Sequence, residues 1–300
     1  MSRLQNWVRV EQVITAETVD VGFDEHHPKE PAAASHNGCI YVACAVWDAY
    51  AFPPSDKEVV LCMADDPAGA FTQACQVTAD ASIVSHAPAV LVDDGDLWVL
   101  YSRYEKRNSG NDVYAKRAPV SDIPTDPDGW IDEGRIFTDA RDPGVLRIAD
   151  DRYYLVAKDE RGPGVVGVGG PSLTDLSRDH AKTVYTNSFG EAPDIVPKAS
   201  SDGYWLVTAE GVGEGPRLSV AGEAESPTDE FKGYYALGTH RSLNGISEPF
   251  HSQWTLHHDY CHEAGGRTIH RPNGEVLAYF EGGDGTQFSV GVAFLDDSDG

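Results

Sequence analysis

The sequence contains few basic residues. Lys and Arg together number 23 against 48 Asp and Glu, and Lys occurs only eight times in 300 residues. A net charge of -25 is repelled by nucleic acid and by anionic membrane surfaces, so we expect neither as a partner. The acidic residues are spread along the chain, often as pairs such as Asp65-Asp66. This distribution is typical of a halophilic protein, whose self-repulsion salt screens; cation capture is the alternative.

The sequence also lacks metal-type cysteine motifs, an apolar leader and helical periodicity. None of its five cysteines belongs to a CxxC pair or to a Cys/His zinc spacing; they are Cys39, Cys44, Cys62, Cys75 and Cys261. The N-terminal MSRLQNWVRV has no apolar run typical of a signal peptide or a membrane span, and we expect a cytoplasmic protein. No convincing 3.6-residue periodicity extends over ten residues, which argues against α-helices.

What the sequence does contain is a repeat of strand-like segments. After Asp142-Pro143 it reads GVLRI as a strand, ADD as a turn, RYYLVAK as a strand, DERGPG as a loop and VVGVGG as a third strand. The same order recurs around Pro31, Pro88 and Pro193, and more loosely near residue 264. These anchors are 57, 55, 50 and 71 residues apart, a spacing typical of four-stranded units with long loops.

Each of the first four copies is followed by a further strand candidate. These candidates are TQACQVTA (72–79), IDEGRIFTD (131–139), AKTVYTNS (181–188) and HSQWTLHHDY (251–260). The fifth copy has none, but WVRVEQVITAE (7–17) at the N-terminus can supply it. We therefore predict an all-β fold, a five-bladed β-propeller that is closed by the N-terminal strand pairing into the last blade. A different all-β arrangement, such as a sandwich, is the alternative.

The predicted propeller is a single domain that spans residues 1–300. No Ser/Gly-rich linker or charge block divides the chain, and this length suits one large all-β domain. The predicted blades are approximately 24–80, 81–139, 140–188, 189–260, and 261–300 together with 5–17.

The start of each innermost strand is where this fold would gather polar side chains. In the predicted register these residues are Glu30, His86, Asp142, Glu191, and His262 or Glu263. Several carboxylates would then face one pocket. Two carboxylates that flank a glycosidic bond are what its hydrolysis needs, one as general acid and one as base or nucleophile. The alternatives are ordinary turn carboxylates and a buried core or loop histidine.

Loops on the same rim add further candidate substrate-binding residues. Trp47 and Tyr50 could stack on sugar rings, and Arg103, Tyr104, Lys158 and Arg161 could donate hydrogen bonds or supply charge. The concentration of basic residues on this rim, with Lys106 and Arg107, suggests that they hold the pocket carboxylates ionised. Ordinary surface charges are the alternative.

Two stretches resemble a known family of five-bladed propeller glycosidases. RDPGVLRIADDRYYLVAKD and GEAPDIVPKASSDGYWLVTAEGVGEGPRLSVAGEAESPTDEF look like the third and fourth blades of glycoside hydrolase family 43, the arabinanases, arabinofuranosidases and β-xylosidases. Family 32 shares the Arg-Asp-Pro and Glu-x-Pro signatures, but its NDPNG stretch is absent here. The resemblance implies a sugar substrate and no required cofactor.

The resemblance also implies roles for individual residues. Glu191 corresponds to the general acid and Asp142 to the aspartate that orients and tunes it. Glu30 stands where the family has an aspartate base, a departure that puts the base in doubt. His262 corresponds to a fifth-blade histidine that points into the axial channel, often near calcium. No calcium-ligand loop of recognisable spacing is present, so the sequence leaves the metal open.

Three functions are compatible with these residues. The first is an intracellular glycosidase that acts on short oligosaccharides or arabinofuranoside- or xyloside-like glycosides, with Glu191 as acid and Glu30 as base. The second is a propeller that binds a sugar without hydrolysing it, which the Glu-for-Asp change at Glu30 favours. The third is a phosphorylase, for which the loop from Arg103 to Arg107 would bind phosphate.

Overall fold

The protein is all-β, as the sequence predicts. A computed structural model describes residues 7–49, 56–80, 82–106, 110–150, 152–186, 190–197, 203–212, 215–232, 235–239, 266–270, 276–283 and 287–295. These residues form β-strands and three single-turn 3-10 helices, and no α-helix occurs among them. No helix in the described ranges has the length and apolar character needed to cross a membrane.

The strands form five four-stranded antiparallel sheets. The N-terminal strand is β1 (Trp7–Ile14). Sheet 1 contains β2 (His27–His36), β3 (Cys39–Trp47), β4 (Lys57–Ala64) and β5 (Thr72–Gln76). Sheet 2 contains β6 (Ile83–Asp93), β7 (Asp96–Glu105), β8 (Asp112–Pro119) and β9 (Ile131–Phe137). Sheet 3 contains β10 (Ala140–Ala149), β11 (Arg152–Asp159), β12 (Val165–Gly170) and β13 (Lys182–Tyr185). Sheet 4 contains β14 (Gly190–Pro197), β15 (Tyr204–Val212), β16 (Gly215–Ala224) and β17 (Tyr235–Thr239). Sheet 5 contains β18 (Gly266–His270), β19 (Val276–Gly283), β20 (Phe288–Leu295) and β1.

The N-terminal strand completes the last sheet. β1 pairs antiparallel with β20, with Val10 opposite Ala293 and Glu11 opposite Val292. The prediction that the N-terminal strand supplies the missing strand is therefore confirmed. The first strands of the sheets lie side by side: β2 contacts β6, β6 contacts β10, β10 contacts β14, β14 contacts β18, and β18 contacts β2.

Hydrophobic cores fill the spaces between neighbouring sheets. Between sheets 1 and 5, for example, Val42 and Val60 pack with Tyr279 and Val290. Because both faces of a sheet are covered, its second strand is apolar along nearly its whole length. β3 has the sequence CIYVACAVW, and every residue from Ile40 to Trp47 is buried. This is why the second strand of each repeat is the easiest to recognise in the sequence.

The fourth strand of sheet 4 lies earlier in the chain than the sequence predicts. The fourth strand of sheet 4 is β17 (Tyr235–Thr239), which pairs with β16 through Arg217 opposite Thr239. The strand predicted at 251–260 lies outside the described residues. The 71-residue interval between repeats favoured that later segment as the outer strand.

A two-residue bulge interrupts the same position of four first strands. The residues in the bulges are Glu30-Pro31, Ala87-Pro88, Asp142-Pro143 and Ala192-Pro193. The first residue of each bulge has a positive φ, of 51°, 52°, 54° and 46° in that order, although none is glycine. Such backbone is strained and persists only where the surroundings enforce it. Proline is tolerated at the second position because the bulge residue there does not need an N–H to donate to the neighbouring strand.

The substitution Gly144→Ala tests how tightly sheets 3 and 4 approach each other beside this bulge. A Cβ atom at Gly144 would meet the carbonyl oxygen of Pro193 and lie 2.9 Å from Cα of Asp194. Because both atoms are backbone, we expect the free energy of unfolding to fall by about 1–3 kcal/mol, measured by denaturant unfolding at fixed salt. Gly110→Ala is the control, since Gly110 has nothing within 4 Å of its Cβ position. Equal stability of the two variants would contradict the close approach.

Candidate active site

The bulges place the candidate residues in two neighbouring rows. Glu30 and Asp142 occupy the positive-φ position of sheets 1 and 3, and alanines occupy it in sheets 2 and 4. His86 and Glu191 lie one residue earlier, at the last regular pair before the bulge, opposite Ser102 and Ala209. In the register predicted from the sequence, all four occupy the same position at the start of an innermost strand. The structure instead shows an offset of one residue between the two pairs.

Each bulge is held by a side chain from the preceding sheet. The backbone N–H of Glu30 donates to Oε2 of Glu281 at 2.6 Å, and that of Ala87 donates to Oε2 of Glu30 at 2.8 Å. The N–H of Asp142 donates to Oγ of Ser102 at 2.7 Å, and that of Ala192 donates to Oδ2 of Asp142 at 3.4 Å. The donors released from the strand ladder are thus satisfied across the sheet boundaries.

The two carboxylates of the first row therefore point towards the next sheet. The side chain of Glu30 reaches sheet 2 and is 18 % exposed. Asp142 reaches sheet 4 and is 5 % exposed. Because the Asp142 carboxylate binds the N–H of Ala192, it contacts the residue directly after Glu191. The contact fixes the backbone next to Glu191; that Asp142 orients the Glu191 side chain stays a prediction.

His86 lies against Glu30. Its imidazole is buried, and Nδ1 is 3.8 Å from Oε1 of Glu30. Its Nε2 is 3.0 Å from Oδ1 of Asn111, and its ring meets that of Tyr104 edge to face with centroids 5.9 Å apart. Burial, followed by the negative charges of Glu30 and Asp56, raises the pKa of Tyr104 above its ordinary value. Tyr104 therefore stays a neutral hydroxyl beside the candidate base.

A buried lysine lies next to Glu281, the carboxylate that accepts the N–H of Glu30. Lys29 is fully buried, and its Nζ is 3.9 Å from Oε1 of Glu281. The same Nζ lies 3.6 Å from the ring centroid of Trp47 and 3.8 Å from that of Phe288. Two aromatic faces and one carboxylate therefore stabilise a charge that would be costly to bury alone.

Trp47 is not the open sugar platform that the sequence suggested. Its side chain is 1 % exposed, and Nζ of Lys57 also lies 3.6 Å from its ring centroid. The expectation failed because the tryptophan ends the buried strand β3 instead of entering the following loop. The ring contacts ammonium groups in the interior.

The predicted basic residues are distributed over several sheets. The Arg103 guanidinium lies 4.6 Å from the ring centroid of Tyr114, and Lys158 is buried on β11 opposite Arg141. Lys106 donates to Asp56 at 2.8 Å, and Arg161 binds Asp139. Among the described residues, Lys106 and Arg161 thus bind loop carboxylates, contrary to the suggested action on Glu30 and Asp142. As substrate-binding residues, Arg103 and Lys158 stay predictions.

Several predicted residues are described in part or not at all. For Glu191 the structure describes the backbone position on β14. His262, Tyr50 and Arg107 lie outside the described residues.

A cavity of about 360 Å³ lies between the first strands of sheets 1 to 4. Its wall is mostly apolar, with Ala33, Val90, Leu146 and Val196 as typical members and Asp194 as its carboxylate. Calcium takes six to eight oxygen ligands, and no cluster of three His, Cys, Asp or Glu side chains suitable for a metal occurs in the described part of the chain. The lining residues therefore do not fit a calcium ion by themselves.

Comparison with solved structures reveals similar folds. The GH43_1 enzyme from Xanthomonas citri complexed with xylotriose has a TM-score of 0.64 and 14 % identity, over 96 % of this chain and 92 % of that chain. A GH43 β-xylosidase/α-arabinofuranosidase from a compost microbial metagenome, in a calcium-free form with xylotriose, has the same TM-score and identity, over 99 % and 96 %. Xylan β-1,4-xylosidase from Bacillus halodurans has a TM-score of 0.63 and 17 % identity, over 98 % of this chain and 55 % of that chain.

The chain shares its fold with GH43 glycosidases. No protein-family model and no curated protein sequence matches it. At 13–17 % identity the likeness shows the fold alone, so the GH43-like architecture is common to these proteins while the chemistry must be argued from this chain's own residues.

The sequence pattern does not reveal the residues that support this candidate site. Ser102 and Glu281 accept the bulge N–H groups, and Asn111 and Glu160 continue the contacts of His86. The available signal was a titratable residue directly before each bulge dipeptide, namely Lys29, His86, Arg141 and Glu191. Their partners come from other strands, and the sequence pattern does not specify those contacts.

The substitution Ser102→Ala tests the acceptor of the Asp142 bulge. Removing Oγ leaves the buried N–H of Asp142 without that partner, so we expect the free energy of unfolding to fall by about 1–3 kcal/mol. Ser85→Ala is the control, because Ser85 is buried in the same sheet and has no hydrogen-bonding side-chain partner among the described residues. Denaturant unfolding of both variants gives the comparison, and equal losses would contradict a specific function of Ser102.

Proposed function

We propose that the protein is a glycoside hydrolase that cleaves short pentose oligosaccharides or aryl glycosides of the arabinofuranoside or xyloside type. The observation that carries this proposal is the placement of Glu30 and Asp142 at equivalent bulges, with Glu191 one residue before the bulge that Asp142 holds. The xylotriose bound in two similar structures supports a small pentose substrate. The sheets are in our interpretation the blades of a five-bladed propeller closed by β1.

The proposed reaction is general acid and base catalysis by paired carboxylic groups. Glu191 in its protonated form gives a proton to the glycosidic oxygen, and the bonding electrons of the cleaved C–O bond pass to that oxygen. Water forms the new bond to the anomeric carbon and gives its proton to the Glu30 carboxylate. This assignment corresponds to a separation of about 6.5–9.5 Å; at about 5 Å, Glu30 would attack as the nucleophile.

Asp142 supports this reaction through the backbone. Its carboxylate accepts the N–H of Ala192 and thereby fixes the chain beside Glu191. Its own N–H is held by Ser102, so the group that orients the acid is itself anchored on sheet 2. An acid positioned by rigid strands is favourable because misplacement of about 1 Å can cost a large factor in rate.

The Glu-for-Asp departure at Glu30 has a structural explanation. The longer Glu30 side chain accepts the N–H of Ala87 at 2.8 Å, against 3.4 Å for the equivalent contact of Asp142 with Ala192, while Oε1 faces His86. The longer side chain is therefore fixed at one oxygen, which is the property a positioned base requires.

Two other functions have less support. The engagement of Glu30 with Ala87 favours a sugar-binding propeller in which Glu30 is only structural. A phosphorylase would need free cations, but Arg103 lies over Tyr114 and Lys106 binds Asp56.

Hydrolysis of a panel of aryl arabinofuranosides, xylosides, galactosides and fructosides in molar KCl tests the proposal. We expect turnover of a pentoside by the native protein and a loss of about a hundredfold or more in kcat in Glu191→Gln and in Glu30→Gln, because each removes a proton-transfer group. Glu17→Gln is the charge-matched control on an exposed turn and should retain full activity.

The competing functions predict different results. Sugar binding by calorimetry without turnover on any substrate would contradict hydrolysis and favour the binding function. Turnover that depends on added phosphate would identify a phosphorylase.

A further inference from the structure

The hydrogen-bonding partners of His86 determine which ring nitrogen carries its proton. The hydrogen-bond network of His86 begins at Glu160. Oε1 of Glu160 is 3.1 Å from Nε of Arg141, whose guanidinium is always charged. The carboxylate of Glu160 can only accept, so the Nδ2 group of Asn111 donates to it, at 3.1 Å. The amide orientation is thereby fixed, and Oδ1 of Asn111 faces His86.

Oδ1 of Asn111 is an acceptor, so Nε2 of His86 must donate to it across 3.0 Å. A neutral His86 therefore has its proton on Nε2 and a lone pair on Nδ1. The buried Nδ1 has no hydrogen-bond partner among the described residues, and it faces Oε1 of Glu30 at 3.8 Å. In the neutral state two lone pairs oppose each other in a buried site.

A proton added to Nδ1 of His86 removes the repulsion between the two lone pairs. His86 then becomes a cation next to the Glu30 carboxylate, whose other oxygen already accepts the N–H of Ala87. A separation of 3.8 Å is longer than a hydrogen bond but within the range of a direct charge interaction.

Among the described residues, the other titratable groups near His86 are neutral or have ionic partners of their own. The Tyr104 hydroxyl, whose pKa is raised, is neutral at ordinary pH. Asp56 near Tyr104 is bound by Lys106, and Glu160 by Arg141. Lys29 is directed to Glu281 and to its aromatic neighbours.

We propose that His86 is a positioning residue that shares one proton with Glu30: its cationic form keeps Glu30 as a carboxylate and extends base catalysis to lower pH. The proton comes from solvent water and returns to it, with no redox change. This inference rests on the proposed function, and it changes the expected role of His86 from substrate binding to control of the candidate base.

The first test follows the histidine by long-range proton–nitrogen NMR of the full chain over a pH series, without substrate. We expect neutral His86 to carry its proton on Nε2 and to lose the second proton at lower pH in Glu30→Gln than in the native protein, by about one pH unit. The control Glu17→Gln should leave the His86 titration unchanged. An unchanged titration in Glu30→Gln, or a neutral proton on Nδ1, would overturn the proposal.

The second test measures kcat/KM against pH for His86→Gln. Losing the His86 cation disfavours the ionised form of Glu30. The acidic limb of the kcat/KM profile should therefore move to higher pH by about one unit, which equals about tenfold lower kcat/KM at a pH below that limb. By thermodynamic reciprocity this displacement should match the NMR change in Glu30→Gln. His180→Gln, an exposed histidine at the end of the single-turn 3-10 helix Arg178–His180, is the control and should keep the native profile.

The outcomes separate this inference from the proposed function. Equal loss of activity at every pH in His86→Gln would show a purely structural residue and overturn the inference, while hydrolysis would stand. If no glycoside is hydrolysed, the NMR experiment alone still decides whether Glu30 and His86 share a proton.

Discussion

The structure depends on one requirement: the backbone N–H released at each bulge needs an acceptor. A buried donor left without a partner costs about 1–3 kcal/mol, and positive φ at a non-glycine residue adds strain. In four sheets the acceptor is a side chain from the preceding sheet, so the bulges connect neighbouring sheets in chain order. The same contacts bring functional groups to one end of the first strands.

Two kinds of acceptor alternate from sheet to sheet: side chains on second strands, and carboxylates of the bulges themselves. Glu281 and Ser102, on second strands, hold the bulges that carry Glu30 and Asp142. These two carboxylates in turn hold the bulges of Ala87 and Ala192. A carboxylate with one oxygen fixed by backbone is well positioned for chemistry at the other. Glu30, the candidate base, and Asp142, which we propose to orient the candidate acid, are therefore also part of the framework. The architecture and the proposed catalysis depend on the same contacts.

Much of this arrangement could be predicted from the sequence, because the second strands are apolar along most of their length and the first four repeats begin at a proline. The pairing of β1 with β20 followed from the missing outer strand. The offset between Glu30 and His86 is visible in the sequence, where Glu30 directly precedes Pro31 and His86 stands two residues before Pro88. That each proline belongs to a bulge, which sets the register, could not be predicted. Trp47 was misassigned because strand ends are the least certain boundaries, and the partners of Lys106 and Arg161 depend on which loops meet in space.

The most direct test of the account is a crystal structure of Glu191→Gln with the saccharide that it binds best. The account predicts the scissile glycosidic oxygen within hydrogen-bonding distance of residue 191 and the anomeric carbon facing Oε1 of Glu30, with one water between them. His86 should lie behind Glu30 without touching the sugar. A saccharide bound away from the bulges, for example in the apolar cavity lined by Val90 and Val196, would contradict the account.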